Sequence, residues 1–317
     1  MTIPQASPVA ERHHKTASSP TSTGEEAGTI LVVGATGTVG REVVRRLSTA
    51  GARPLALMHT GRTGPVPCDR SDRVSADLDR PATVEAALAG VDRLFLLTRQ
   101  TSRQLEQEQT VIAAAARAGV GRVVKLSVFR AEERSPLQIA RQHWQAERVL
   151  QDSGLQHTVL RPVFFMQNLF GMVRDGTIAT AAQDGRVAMI DARDIAAAAV
   201  AALTTVPAAG RVYTLTGPEA VSFDQVADVL GRQAGRTLRH VRVPAEAVFE
   251  RLRVAGAEAW FAADMAALHR MLGNGYEDVV IDEVSSLTGA PATPLARFAT
   301  DFTARFAPNA AAAGGQP

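Results

Sequence analysis

A single cysteine, Cys68, in a chain of 317 residues excludes an intrachain disulfide and any cysteine-rich metal cluster. It reads as an inert loop residue, and no metal is expected. No apolar run approaches the roughly 20 residues that cross a bilayer, and the N-terminus has no basic segment leading into an apolar one. Neither a membrane span nor a secretory signal is therefore expected, and the cytoplasm is the expected compartment. Lysine is almost missing: Lys15 and Lys125 are the only two, and arginine carries the remaining positive charge. The arginines are scattered, the net charge is only +2 and aromatics make up only 5% of the chain, so a basic, aromatic-lined nucleic-acid surface is not expected. With 46% hydrophobic residues the chain can still bury one large core or two smaller ones.

What is present is organised around Gly34-Ala35-Thr36-Gly37-Thr38-Val39-Gly40, which follows the apolar run Ile30 to Val33 and precedes a helical pattern over Arg41 to Ala50. A buried strand feeding a glycine turn that opens a helix presents free backbone N–H groups and the positive helix end to an anion such as a pyrophosphate. Gly34 permits the turn, Gly37 lets phosphates approach the backbone, and Gly40 lets helix and strand pack closely. The spacing G-x-x-G-x-x-G is weak alone. Its setting is stronger: Gly51 stops the helix and Pro54 to Met58 reads as a second strand, which completes a β-α-β unit.

Residues 1–28 have no apolar period and are expected to be disordered, as are residues 308–317. Between them strands alternate with helices: strand 73–78, helix 81–88, strand 93–97, helix 104–118, strand 122–126, helix 139–153 and strand 157–160. Such alternation predicts an α/β fold with a Rossmann-like, doubly wound parallel sheet over 29–217. After Arg161-Pro162 the dense apolar stretch Phe164 to Phe170 reads either as a substrate wall, in an insertion over about 163–190, or as core. Asp191 opens an alanine-rich helix and Val212 to Thr216 a last strand. From 218 to 307 helices dominate, with one strand at 239–243, and form a smaller, mostly helical substrate lobe.

Several further motifs accompany the glycine turn: Ala76-Asp77-Leu78, Phe95-Leu96-Leu97-Thr98, Lys125-Leu126-Ser127, His143-x-x-x-Glu147-x-x-Leu150-x-x-Ser153-Gly154, Thr158-Val159-Leu160-Arg161-Pro162, Phe165 to Asn168, Asp191-x-x-Asp194-Ile195 and Thr216-Gly217-Pro218-Glu219. Together they resemble the NmrA-like group of atypical short-chain dehydrogenases/reductases over roughly Thr29 to Ala307. The resemblance implies an NAD(P)H-dependent oxidoreductase, with Gly34, Thr36, Gly37, Thr38, Val39 and Gly40 around the pyrophosphate and Asp77 and Leu78 beside the adenine. Leu97, Thr98, Arg99, Ser127, Pro162 and Phe164 would border the phosphates and the nicotinamide riboside. Phe165, Asn168 and Trp144 are the implied contacts to a small aromatic or conjugated substrate. Taken singly, Asp77 would also serve as a cap for the next turn, Arg99 as a surface charge, and Lys125 as a strand-end lysine whose amine reaches solvent.

Most short-chain dehydrogenases use a Tyr-x-x-x-Lys pair, and neither Tyr213 nor Tyr276 has a lysine four residues on. Aligned on Glu147 and Ser153-Gly154, Ile139 takes the tyrosine position and His143 the lysine position. Reduction of a simple ketone generates a strongly basic alkoxide and needs a placed proton donor, whereas a hydroquinone anion can be protonated by solvent. Quinone-like, azo or conjugated acceptors are thus favoured. His143 is the candidate catalytic residue, holding the nicotinamide ribose or donating a proton; a helix histidine that is solvated or satisfied in the core is the alternative. NADP(H) is favoured, with NAD(H) as the alternative, because His59 and Arg62 follow the second strand where NAD-specific folds carry an acid. Two other classes stay open: a dinucleotide-binding redox regulator without turnover, and a biosynthetic tailoring enzyme. A monomer or homodimer is expected.

Overall fold

The computed structural model describes residues 28–61, 68–205 and 210–307. Its first half runs β1 (Ile30–Val32), α1 (Thr38–Thr49), β2 (Leu55–His59), β3 (Asp72–Ala76), α2 (Pro81–Leu88), β4 (Arg93–Leu96), α3 (Gln104–Ala118), β5 (Arg122–Leu126), α4 (Gln138–Asp152) and β6 (His157–Pro162). The second half continues with α5 (Leu169–Met172), β7 (Val173–Arg174), β8 (Thr177–Thr180), β9 (Arg186–Val187), α6 (Ala192–Thr204), β10 (Arg211–Leu215) and β11 (Val221–Ser222). Then come α7 (Phe223–Ala234), β12 (Arg239–Arg242), α8 (Ala245–Val254), α9 (Ala259–Gly273), α10 (Glu283–Thr288), α11 (Leu295–Asp301) and α12 (Thr303–Phe306). The expected terminal extensions 1–28 and 308–317 lie outside the described residues apart from Gly28, and so does Arg62.

Seven strands form one parallel sheet in the order β10-β6-β5-β4-β1-β2-β3. The order reverses between β1 and β4, and at such a switch point a crevice opens beyond the carboxyl ends of the strands. The apolar spacing decides which helix covers which face. α1 buries Val39, Val43, Val44 and Leu47 along one stripe, against Ile195 and Ala199 of α6 on one side of the sheet. Val84 of α2, Val111 and Ile112 of α3 and Leu150 of α4 fill the other side. α6 starts on Asp191, whose side chain accepts from the Arg193 N–H, and α7 on a Ser222/Gln225 capping box.

The second lobe is assembled differently from expectation. Residues 173–180 form an antiparallel hairpin, turned by Asp175 and Gly176 at positive φ, and β12 joins it in the order β12-β8-β7. The last helical stretch is interrupted at Phe302, which separates α11 from α12. The unforeseen α10, whose buried residues are only Val284 and Leu287, packs these two against the core around α6. Of the two readings of the stretch 164–170, core holds for Phe164, Met166, Leu169 and Phe170. The Phe164 ring meets Phe223 edge-on at 6.2 Å, and Phe170 stacks on Phe298 at 5.5 Å with Phe302 and Phe306 around it.

Candidate active site

The glycine turn sits at the switch point. Gly34 has φ +77 and lies so close to β4 that a Cβ there would stand 2.4 Å from the Leu97 carbonyl oxygen. A Cβ on Gly40 would come 2.1 Å from the Gly34 carbonyl oxygen, so side chains are excluded at both positions by the protein itself. Gly37 differs. A Cβ there would meet only the Gly34 carbonyl oxygen, at 3.4 Å, an ordinary contact. Gly37 is the N-cap of α1 with extended backbone; no side chain caps the helix and no acid stands in its first turn. Gly37 and Thr38 are exposed, Gly34 and Thr36 half-buried, and Val39 and Gly40 buried. The result is an uncapped helix N-terminus, open to solvent, of the kind that holds a phosphate.

Beside it, at the ends of β2 and β3, His59 is exposed and its Nε2 lies 3.9 Å from Asp77 Oδ1. Asp77 also takes the Asp79 N–H on Oδ1 and approaches Arg80 Nε at 3.5 Å, so it does cap the turn that leads into α2. An acid therefore does stand at this edge, contributed by the residue after β3 and not by β2, with Arg80 beside it as a cation. The only sequence signal for Arg80 was the Asp77-x-x-Arg80 spacing. Leu78 packs into the core under α2, and Arg99 is exposed at the end of β4.

Under the ends of β4 and β5 lies a buried polar network. Lys125 and Glu108 side chains are both 0% exposed, with Nζ and Oε2 2.6 Å apart. The expectation of a solvent-reaching lysine is thus overturned: Lys125 points between α3 and α4, not along the strand. Its other ammonium contacts are the Leu126 carbonyl oxygen at 3.3 Å and His143 Nδ1 at 3.2 Å. Glu108 in turn accepts from the Thr98 hydroxyl at 3.0 Å. An ammonium can only donate, so Nδ1 of His143 accepts and its proton resides on Nε2. The Gln104 side-chain nitrogen stands 3.0 Å from Nε2 and 3.5 Å from Glu108 Oε1; an Nε2–H donor is satisfied there with the amide turned over, so that its oxygen, which has no other partner, faces the ring.

His143 is 3% exposed, and burial, followed by the Lys125 and Arg161 charges, holds its pKa well below the ordinary 6.5. A neutral ring with both nitrogens engaged is not a proton donor with an imidazole's usual pKa; its geometry corrects that expectation. Nor does the ring face the open cleft.

A second network runs alongside. Ser127 donates through its hydroxyl to Glu147, which also receives a two-pronged bond from Arg161, with Nε at 3.1 Å. Thr98 and Ser127 therefore spend their hydroxyls holding the floor of the crevice. Pro162 is the last residue of β6 and accepts the Phe129 N–H at 2.9 Å. The N–H of Phe164, a residue expected to border the cofactor, donates to Oε2 of Glu277 at 2.8 Å. Burial pushes the Glu277 carboxyl up to about 7. Neighbouring Tyr276, pushed up to about 12 mainly by burial, packs edge-on against Phe129 at 5.6 Å. Arg130 covers both rings at 5.1 and 5.0 Å.

Phe165 is half-buried and Asn168 exposed just past β6. Trp144 is not with them: it lines a separate hollow of about 360 Å³ between α3 and α4, with Leu105, Glu106 and Arg141. One helix step turns Trp144 away from the inward face that carries His143. Among the described residues no group of histidine, cysteine and acidic side chains forms a metal site, and no helix is long and apolar enough to cross a membrane.

Replacing His143 with alanine should cost about 1–3 kcal/mol, since it orphans a buried ammonium proton, and denaturant unfolding will read it. A depressed histidine pKa also sets a sign. Below about pH 6.5 the unfolded chain binds more protons than the folded one, so the His143 contribution is fully present above that pH and declines below it. His269, pushed down to about 4 by burial, adds to the same slope. Each histidine accounts for up to about 1.4 kcal/mol per pH unit there. Unfolding free energies of wild type and His143→Ala between pH 5 and 8 should converge as pH falls; parallel curves would contradict the assignment.

Comparison with known proteins places the chain. Residues 26–297 match the model of the NmrA-like family. The chain is 37% identical to an NAD(P)H azoreductase of Xenophilus azovorans over 87% of its own length and 99% of the relative's. It is 36% identical to a (4-alkanoyl-5-oxo-2,5-dihydrofuran-3-yl)methyl phosphate reductase of Streptomyces griseus, covering 88% and 99%. Among solved structures, the NADPH-dependent quinone oxidoreductase of Escherichia coli complexed with NADPH superposes with a TM-score of 0.76 at 27% identity, covering 86% of this chain and 99% of that one.

Proposed function

The chain belongs to the NmrA-like family, and on that premise we propose that it binds NADP(H) at the glycine turn and reduces a small azo, quinone-like or otherwise conjugated acceptor. It works in the cytoplasm as a monomer or homodimer, on acceptors that include aromatic ones. The observation that carries this reading is the α1 N-terminus: exposed, uncapped, without acid in its first turn, and closed to side chains at Gly34 and Gly40 but open at Gly37. Similarity to an NAD(P)H azoreductase and to an NADPH-dependent quinone oxidoreductase supports the acceptor class.

The dinucleotide, when bound, supplies a hydride. Gly37 and Thr38 would hold its pyrophosphate, and the crevice floor of Thr98 and Ser127, locked by Glu108 and Glu147, would fix the surface on which the nicotinamide end rests. With no Tyr-x-x-x-Lys pair, acceptors whose reduced anions are weak bases are preferred. Steady-state NADPH oxidation over a panel of azo dyes, quinones, enones and simple ketones tests this: turnover with a conjugated acceptor and little with ketones is expected, and the reverse ranking would refute it.

NADP(H) should bind more tightly than NAD(H) by roughly one to two decades, the worth of a charge-assisted bond of about 1.5–3 kcal/mol to the 2′-phosphate. Arg80 stands beside Asp77 and offsets its charge, and His59 lies on the other side of the same carboxylate. Arg62 is the further candidate from sequence. Titrations of Arg62→Ala and Arg80→Ala should show a narrowed NADP(H)/NAD(H) ratio; an unchanged ratio in both would assign the preference elsewhere.

A further inference from the structure

Glu277 has no part in the fold or the site that its ionisable character explains. It lies in the turn between α9 and α10, where the Tyr276 N–H donates to the Met271 carbonyl oxygen at 3.1 Å and the Glu277 carbonyl oxygen accepts from Ala188 at 3.0 Å. The side chain lies at the carboxyl end of β6, against the backbone of Phe164, on the edge of the sheet where the crevice opens. The residue is 4% exposed. Its one side-chain hydrogen bond among the described residues is the Phe164 N–H on Oε2, and no cation among them is within ion-pair distance. A single backbone N–H needs only an amide oxygen, which is cheaper to bury than a carboxylate. A carboxyl held so keeps its proton up to about neutral pH, and in that protonated form, with Oε2 accepting, the proton sits on Oε1, a donor with no acceptor among the described residues.

We propose that Glu277 is the proton donor of the reduction, giving its Oε1 proton to the acceptor as that acceptor takes up the hydride. This rests on the reductase reading above. The balance is simple: the acceptor's conjugated double bond gains the hydride at one end and the Glu277 proton at the other, the O–H bond of the carboxyl breaks, and Glu277 is left as a carboxylate that regains its proton from water. The environment suits the task. Burial raises the carboxyl to about 7, so the acid is half-populated near neutral pH. The charged and titratable groups around it are Arg130, from the loop after β5, which favours the carboxylate left behind, and Tyr276 with Glu132, which sits close enough to Tyr276 to act on its phenol. The role left vacant by the missing tyrosine, and closed to the neutral, fully engaged His143, is filled from a loop of the second lobe.

Glu277→Gln keeps the acceptor for the Phe164 N–H and removes the proton. Steady-state turnover in this variant should fall by about 10²–10⁴-fold with enone and azo acceptors, less with quinones, whose reduced anions water can protonate. The wild-type fall in kcat as pH rises through neutrality should vanish, while NADPH affinity stays the same. A second readout is independent of turnover: the infrared difference between wild type and Glu277→Gln should contain a carboxylic acid band that titrates near neutral pH. Wild-type rates and an unchanged pH profile in Glu277→Gln, or a carboxyl already ionised at about pH 5, would overturn the proposal. If Glu277→Gln fails to fold, Glu277→Asp decides, since it keeps the proton: a reduced rate with a shifted alkaline limb supports the role, and a wild-type profile removes it. Failure of the reductase reading looks different, as the wild type itself would then turn over no acceptor.

Discussion

Gly37→Asp should stabilise the folded chain and abolish dinucleotide binding at once. Gly37 already has the extended backbone of an N-cap, and a Cβ there meets nothing closer than 3.4 Å. Aspartate is among the best N-cap residues and places its charge at the positive end of α1, worth roughly 0.5–1 kcal/mol relative to an uncapped helix. The same carboxylate occupies the only place where the pyrophosphate can meet the helix N-terminus, and it carries the same sign of charge. Losing two or more charge-assisted bonds of about 1.5–3 kcal/mol each predicts an affinity at least 10²-fold weaker. Opposite signs for stability and binding mark a ligand site and not a structural defect. Gly40→Ala gives the contrast, because its Cβ would lie 2.1 Å from the Gly34 carbonyl oxygen and must displace the turn; both properties should be lost together. Thermal unfolding and NADPH titration of the two variants make the comparison. Unweakened binding by Gly37→Asp would remove the glycine turn from the site.

Lys125→Met is expected to be the most destabilising single substitution in the crevice floor. It leaves Glu108, 0% exposed, without the ammonium 2.6 Å away that offsets its desolvation. Breaking one partner out of a buried pair costs about 3–5 kcal/mol, on the order of a 10 °C drop in Tm for a chain of this size. The pair's net worth is a different quantity, since two buried charges are expensive to desolvate. Combining Lys125→Met with Glu108→Leu should therefore recover much of the loss. Additive destabilisation in the double variant would show that packing, not charge, dominates there. His143 loses its donor in Lys125→Met, so the double variant should also show a weaker dependence of stability on pH below about 6.5.

The strand and helix order of the first half was legible because each element follows one hydrophobic period and each of the helices α1 to α4 is closed by a glycine: Gly51, Gly90, Gly119 and Gly154 all have positive φ. The crevice was legible for the same reason, since a doubly wound sheet puts its functional loops at one edge. What the side chains do at that edge was less legible. Lys125 stood out as the lone lysine after residue 15, yet its partner lies on another helix, and a cross-element pair depends on register that one-dimensional periodicity does not report. A signal existed: Gln104 and Glu108 share the buried stripe of α3 with Val111, Ile112 and Ala115, and His143 shares that of α4 with Ile139, Ala140, Glu147 and Leu150. Polar residues on an apolar stripe imply a satisfied buried network. Glu277 had no such signal. It sits in an irregular turn whose position is set by backbone bonds to Ala188 and Met271, residues distant in pattern from any motif.

The most direct test of the account is a single turnover: the full chain is loaded with one equivalent of NADPH, mixed with an azo dye or a quinone, and the dinucleotide and acceptor absorbances are followed together. One NADPH should disappear for each two-electron reduction, and Gly37→Asp under the same conditions should show neither change. Tight NADPH binding with both absorbances constant across the acceptors would contradict the account and make the chain a dinucleotide-binding protein without reductase activity.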